Sequence, residues 1–117
     1  MHKIPISLDF CKLNERSDYS HLIDSSALVF DSRERKNLYK YVKSKTPIIL
    51  HDEKGCECII EGKKTAESSI TPIENLKVNG AGDIFCAFFL NEFRKNGIDK
   101  AVENTCLKTT NFLENLS

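Results

Sequence analysis

Apolar and polar positions along the chain change period several times, and each change predicts an element. "KIPISLDF" (3–10) alternates between the two classes and carries β-branched residues, which predicts a strand ending near Asp9. "SSALVF" (25–30) is an apolar run of strand length. "SRERKNLYKYVKSK" (32–45) places Leu38, Tyr39 and Val42 at helical spacing among charges, predicting a helix that starts around Ser32 and Arg35 and is stopped by Pro47. "PIILHDE" (47–53) is apolar on successive positions, as a parallel strand buried on both faces would be. Gly55 then turns the chain into "CECIIEG" and "KKTAESSI", two ribbons of an antiparallel pair separated at Gly62. "TPIENLKVN" (71–79) has no clear period and reads as a loop. Two helices follow: 82–95, apolar enough to be buried all round and closed by Asn96-Gly97, and 99–115, opened by Asp99 as N-cap. The last helix aligns Val102, Cys106, Thr109, Phe112 and Leu113 along one stripe. This order predicts an α/β layer fold, with strands near 3–9, 27–30 and 47–52 parallel in one sheet and the 82–95 helix packed on it.

Composition narrows the function classes. The 117 residues make one domain at most, and 17 basic residues against 17 acidic ones leave no net charge to recruit nucleic acid or an anionic membrane. The N-terminal segment lacks the apolar core of a signal peptide, and no stretch is long and apolar enough to span a bilayer, so the expected location is the cytoplasm. Five cysteines (Cys11, Cys56, Cys58, Cys86, Cys106) have no framework spacing, and the expectation is that they are reduced and buried.

The segment "VNGAGDIFCAFFL" (78–90) carries the clearest chemistry. Gly80 and Gly82 let a ligand approach the main chain closely. A helix starting near Gly82 has unpaired N–H groups and the positive end of its dipole at the same spot, which suits a phosphate. Asp83, in the first turn, is placed to take a proton from a hydroxyl held against that anion. Without a ligand in view, the same residues read as a turn at Asn79-Gly80, a helix start, and an acid answering the dipole.

"NGAGDIFCAFFL" resembles the signature of the ribokinase-like (PfkB) carbohydrate kinases, in which Gly-Ala-Gly-Asp is followed by a small or apolar residue and Phe. "TPIILHDEKGCECII" is similar to that family's strand and turn ending Thr-Leu-Gly-x-x-Gly, "IPISLDF" to its strand ending in Asp, and "SSALVFDSRERKNLYKYV" to its strand and Asn-x-x-Glu helix start. The resemblance runs over nearly the whole chain in the family's order. It implies a Rossmann-like three-layer ribokinase fold, C-terminal half only: parallel strands, flanking helices and a small antiparallel ribbon. It further implies that Gly80, Ala81 and Gly82 form the anion hole for ATP and that Asp83 is the catalytic base on the sugar hydroxyl attacking the γ-phosphate. Asp52, Lys54 and Gly55 become nucleotide-side candidates, ATP and Mg²⁺ the expected cofactors, and a sugar or sugar-like alcohol the acceptor.

The chain also departs from the pattern. Lys77 and Val78 stand where the family has Asp-Thr, which argues against a monovalent-cation site. Leu50 and Asp52 replace the Thr and Gly of the turn, and Asp52 would repel phosphates unless Mg²⁺ or a lysine such as Lys54 intervenes. Ser32 and Arg35 replace the Asn and Glu linked to magnesium. A complete member of the family is more than twice as long, and its N-terminal half supplies most sugar contacts. The expectation is therefore the nucleotide half of such a kinase, inactive in isolation and covered by self-association or by an N-terminal lobe. The alternative is a truncated, non-catalytic remnant acting as a nucleotide-binding or interaction module. Three further groupings point elsewhere and are weaker. His51, Cys56 and Cys58 lack a fourth ligand for zinc. Cys86 sits near a helix start but inside an apolar run, where core packing accounts for it. The basic face of Arg33, Arg35, Lys36, Lys40 and Lys43 reads as solvated rather than as a nucleic-acid surface.

Overall fold

A computed structural model of the chain describes residues 3–8, 20–70 and 81–116. Its centre is a five-stranded sheet in which spatial order follows sequence order. The strands are β1 (Ile6–Ser7), β2 (Val29–Ser32), β3 (Ile48–Asp52), β4 (Gly55–Ile60) and β5 (Lys63–Ser69). β1, β2 and β3 are parallel, with Ile6 opposite Val29 and Val29 opposite Ile48. β3, β4 and β5 are antiparallel, with a bulge at Cys58/Ile59. The α/β class, the parallel strands and the ribbon are as the apolar pattern predicts. The β4–β5 turn falls at Glu61-Gly62, both at positive φ (54° and 77°), the two-residue geometry that follows a sheet's right-handed twist.

Side-chain alternation along the strands sends alternate residues into two separate cores. On one face Leu28, Phe30, Ile49, Cys56 and Cys58 meet Phe85, Phe89, Ala101, Val102 and Cys106 from α2 (Ala81–Asn96) and α3 (Ile98–Leu116). On the other face Leu8, Val29, Ile48, Leu50 and Ile59 meet Ile23 and Tyr39. Ile23 lies on α1 (Ser20–Asp24), a short helix with no counterpart in the sequence pattern. The described residues thus form three layers, with the sheet in the middle.

Several expectations need correction. The 32–45 segment is not a full helix: only Arg33–Tyr39 is helical, as a 3-10 turn capped by Ser32, whose Oγ accepts the Glu34 N–H at 3.3 Å. Charged residues at successive positions leave it only Leu38, Tyr39 and Val42 to bury, too few to hold a longer helix on the sheet. The second strand begins at Val29 rather than at Ser25. α2 is not buried all round. Phe85, Phe89 and Glu92 face inward while Asp83 and Ala87 are exposed, so one face of a long apolar stretch stays outside the core. Glu92 is buried because Lys108 of α3 pairs with one carboxylate oxygen and Asn96 Nδ2 donates to the other at 3.0 Å. α3 starts at Ile98, which puts Asp99 in its first turn, not at its cap. Gly97 joins the two helices by itself: its N–H donates to Phe93 O and its carbonyl accepts from Ala101 N.

The basic face is not simply solvated. Arg33 reaches Asp52, Glu57 and Glu67 at 3.1 to 3.3 Å, and Lys36 reaches Glu57 at 2.9 Å. Arg35 pairs with the fully buried Asp31, which Tyr39 Oη also contacts, and donates to Leu8 O at 2.9 Å. Lys40 and Lys43 are both exposed, as expected. Asp9, the 71–79 loop and Gly80 lie outside the described residues.

Candidate functional site

A cavity of about 250 Å³ opens where the carboxyl end of β3 meets the N-terminus of α2 and the last turns of α3. His51, Asp52 and Glu53 form one wall, Ala81, Gly82 and Phe85 the second, and Cys106, Thr109, Thr110 and Leu113 the third; Ile70 completes the rim. Crevices outside the carboxyl ends of strands are where α/β sheets bind ligands, because loops and helix N-termini converge there.

Each wall follows from local sequence. β3 runs Ile48–Asp52 with its apolar residues split between the two cores, so His51 falls on the α2 face. There its ring stacks on Phe85 at 4.5 Å between centroids and an interplanar angle of 22°. Burial holds the His51 imidazole below its ordinary pKa, against the opposing pull of Asp31 and Asp52, so the ring is neutral at pH 7. Gly82 sits over that ring: a Cβ built there would lie 3.4 Å from His51 Cε1, and glycine leaves the space open. α2 is long enough to carry a dipole, and its first N–H groups have no partner within the helix. Across the cavity, Thr109 is buried, and its Oγ1 has no hydrogen-bond partner among the described residues. A buried hydroxyl without a partner is costly, and a polar ligand in the cavity would satisfy it.

The sequence-derived residues fall into three groups. Ala81, Gly82 and Asp52 line the cavity. Asp83 lies in the first turn of α2, is exposed, and is not part of the cavity wall. Lys54, in the β3–β4 turn, and Gly55, which opens β4, are not part of the wall either. Gly55 has a reason of its own to be glycine: with φ at 148°, a Cβ would come within 2.1 Å of the Ser68 carbonyl oxygen on the neighbouring β5. Asp52 is not countered by the Lys54 ammonium. Lys54 contributes its backbone N–H at 2.8 Å, and Arg33 supplies the cation at 3.3 Å. Ser32 and Arg35 are committed to the cap and to Asp31, so neither is placed as a magnesium ligand.

Sequence reasoning passed over His51 and Thr109 as cavity residues. His51 was legible only as a metal-ligand candidate with Cys56 and Cys58; those two do share one strand face, but they pack into the core. Thr109 carried a usable signal, a hydroxyl on an otherwise apolar helical stripe next to Cys106 and Leu113. Among the described residues no three His, Cys, Asp or Glu side chains are grouped to hold a metal ion, and no helix is long and apolar enough to cross a membrane. Compared with protein-family models and with curated proteins, the chain matches none.

Proposed function

We propose that the chain is the nucleotide-binding half of a ribokinase-like carbohydrate kinase, with the cavity beside the α2 N-terminus as the nucleotide site. One observation carries the reading: Ala81 and Gly82 of the Gly-Ala-Gly-Asp signature, in the first turn of α2, line a cavity whose far wall holds the buried Thr109 hydroxyl, unpartnered among the described residues. The residues fit a nucleotide in kind. Helix-start amides suit a phosphate, the His51–Phe85 stack offers an apolar wall, and Thr109 Oγ1 can donate or accept. Mg²⁺ would arrive with the phosphates, since the carboxylates lining the cavity among the described residues are Asp52 and Glu53, and Mg²⁺ sites commonly rest on one or two carboxylates plus phosphate oxygens. Within a complete kinase, supplied with a sugar-binding lobe, Asp83 takes the proton of the acceptor hydroxyl as it attacks the γ-phosphate. The helix amides hold the transferring group in place, which is where most phosphoryl-transfer catalysis originates.

The test separates phosphate binding from turnover. Inorganic phosphate or ATP–Mg²⁺ at millimolar concentration should shift the amide resonances of Ala81 and Gly82 and the His51 ring. Gly82→Ala should abolish those shifts without unfolding the protein, because the added methyl meets His51 only in ordinary contact yet fills the space a ligand needs. Shifts that persist in Gly82→Ala would remove the α2 N-terminus from the site. With the sugar-binding lobe added, Asp83→Asn should cut turnover by about 10² to 10⁴ and leave ATP affinity intact. Equal turnover of the two forms would remove Asp83 from the mechanism, and no turnover from either would favour the non-catalytic reading, a nucleotide-binding module.

A further inference from the structure

Cys56 and Cys106 lie 50 positions apart in sequence, yet the fold brings them together behind the cavity. Cys56 is the second residue of β4 and packs on the α2–α3 face; Cys106 is on the inner stripe of α3. The Cys56 thiol donates to the Val102 carbonyl oxygen at 3.6 Å and is within hydrogen-bonding reach of the Cys106 thiol. Val102 and Cys106 are one helical turn apart, so the carbonyl that Cys56 touches is the one that receives the Cys106 N–H in a regular helix. Both cysteines are reduced and buried, and Cys106 also lines the cavity, where a small solute can reach it.

We infer that Cys56 and Cys106 are a peroxide-reactive dithiol, oxidised to a disulfide that ties α3 to β4 at the back of the cavity. Cys106 is the reacting group because only it borders the cavity. The neighbouring Cys56 thiol lowers the Cys106 pKa, burial opposes this, and the Arg33 charge adds to the first effect, so on balance it is lowered. The same contact and burial raise the pKa of Cys56, which keeps its proton. In the first step the Cys106 thiolate attacks one peroxide oxygen and the O–O bond breaks. Cys106 becomes a sulfenic acid, and the departing hydroxide takes a proton to form water. In the second step the Cys56 sulfur attacks the Cys106 sulfur. The S–S bond forms, the S–OH bond breaks, and the released hydroxide leaves as water with the Cys56 proton. Peroxide is reduced by two electrons and the two thiols are oxidised by two. Cys58 is a poorer partner for Cys56, because residues two apart on one strand are separated by about 6.6 Å along it.

The experiment uses the full reduced chain and stoichiometric hydrogen peroxide. After quenching, alkylation and digestion, the linked peptide pair should contain Cys56 and Cys106, and the intact mass should fall by two hydrogens and recover with dithiothreitol. Cys56→Ser should stop the reaction at a Cys106 sulfenic acid that dimedone traps. The wild-type peptide map stands without any variant. The inference is overturned if both thiols stay alkylatable while Cys11 or Cys86 is consumed. Linkage of either cysteine to Cys58 or Cys86 would overturn it equally.

Discussion

The two faces of the sheet are built from the same strands and solve burial differently. Toward α2 and α3, the strands present Phe30, Ile49, Cys56 and Cys58 to the rings of Phe85 and Phe89 and to two helix stripes, and apolar packing dominates the layer. Phe30 meets Phe89 edge to face at 5.5 Å, and Phe89 meets Phe85 at 5.9 Å. Toward the 3-10 turn, apolar burial ends part-way along β2 and β4, and charges continue it: Asp31 under Arg35 and Tyr39, Glu57 under Arg33 and Lys36. Between the sheet and its helices one face relies mainly on shape, with its buried acid Glu92 paired within the helix layer, whereas on the other the strands' own acids are each matched by a specific base.

The largest effect should come from the apolar face. Phe89 is fully buried among Phe30 and Phe85, and Phe89→Ala should cost about 3 to 5 kcal/mol in chemical denaturation, the range for an aromatic residue truncated in a core. A cost no greater than that of an exposed substitution would mean the α2–α3 layer is not the main core.

Next comes the charged face. Glu57 is nearly buried; its partner Arg33 is largely covered and Lys36 is half-exposed. Glu57→Gln should cost about 1 to 3 kcal/mol, below the full penalty for a severed buried pair because solvent reaches Lys36. Burial alone would raise the Glu57 pKa, but hydrogen bonds from Lys36 and Arg33 outweigh it and hold the carboxyl below its ordinary value of 4.5. A depressed carboxylate contributes stability that is complete above the unfolded-state pKa and is lost as pH falls through the folded-state pKa. Denaturation from pH 7 down to pH 3 should therefore show wild type and Glu57→Gln converging only below about pH 4.5. Convergence at higher pH would assign the loss to another group.

The smallest effect should come from an ion pair belonging to neither face. Lys100 and Glu103 meet at 3.3 Å on the exposed side of α3, with both side chains more than half exposed. Lys100→Ala should change stability by less than about 0.5 kcal/mol.

These two faces were not equally legible. The apolar face was written in period: "PIILHDE", "CECIIEG" and the 99–115 stripe predict its strands and helix directly. The charged face was not, since Arg33 and Glu57 are 24 positions apart and only the folded sheet brings them together. An arginine with a distant partner looks like any solvated arginine. The cavity divides in the same way. Ala81, Gly82 and Asp52 could be named from a local motif, while His51 and Thr109 join them only through the packing of β3 and α3 on α2.

The strict agreement between spatial and sequence order in the sheet has a consequence for how the chain acquires its shape. Each described strand pairs only with its sequence neighbours, but the pairs differ in loop length: β3–β4 and β4–β5 close two-residue turns, whereas the parallel β1–β2 and β2–β3 pairs need crossovers. Short-loop hairpins have the lower entropic barrier to closure. The hairpins from Ile48 to Ser69 can form first, β2 can add by one crossover, and the α2–α3 pair can dock once a sheet face exists to receive it. Amides of β3 and β4 should accordingly be the last to exchange in deuterium, and those of the two-residue β1 among the first.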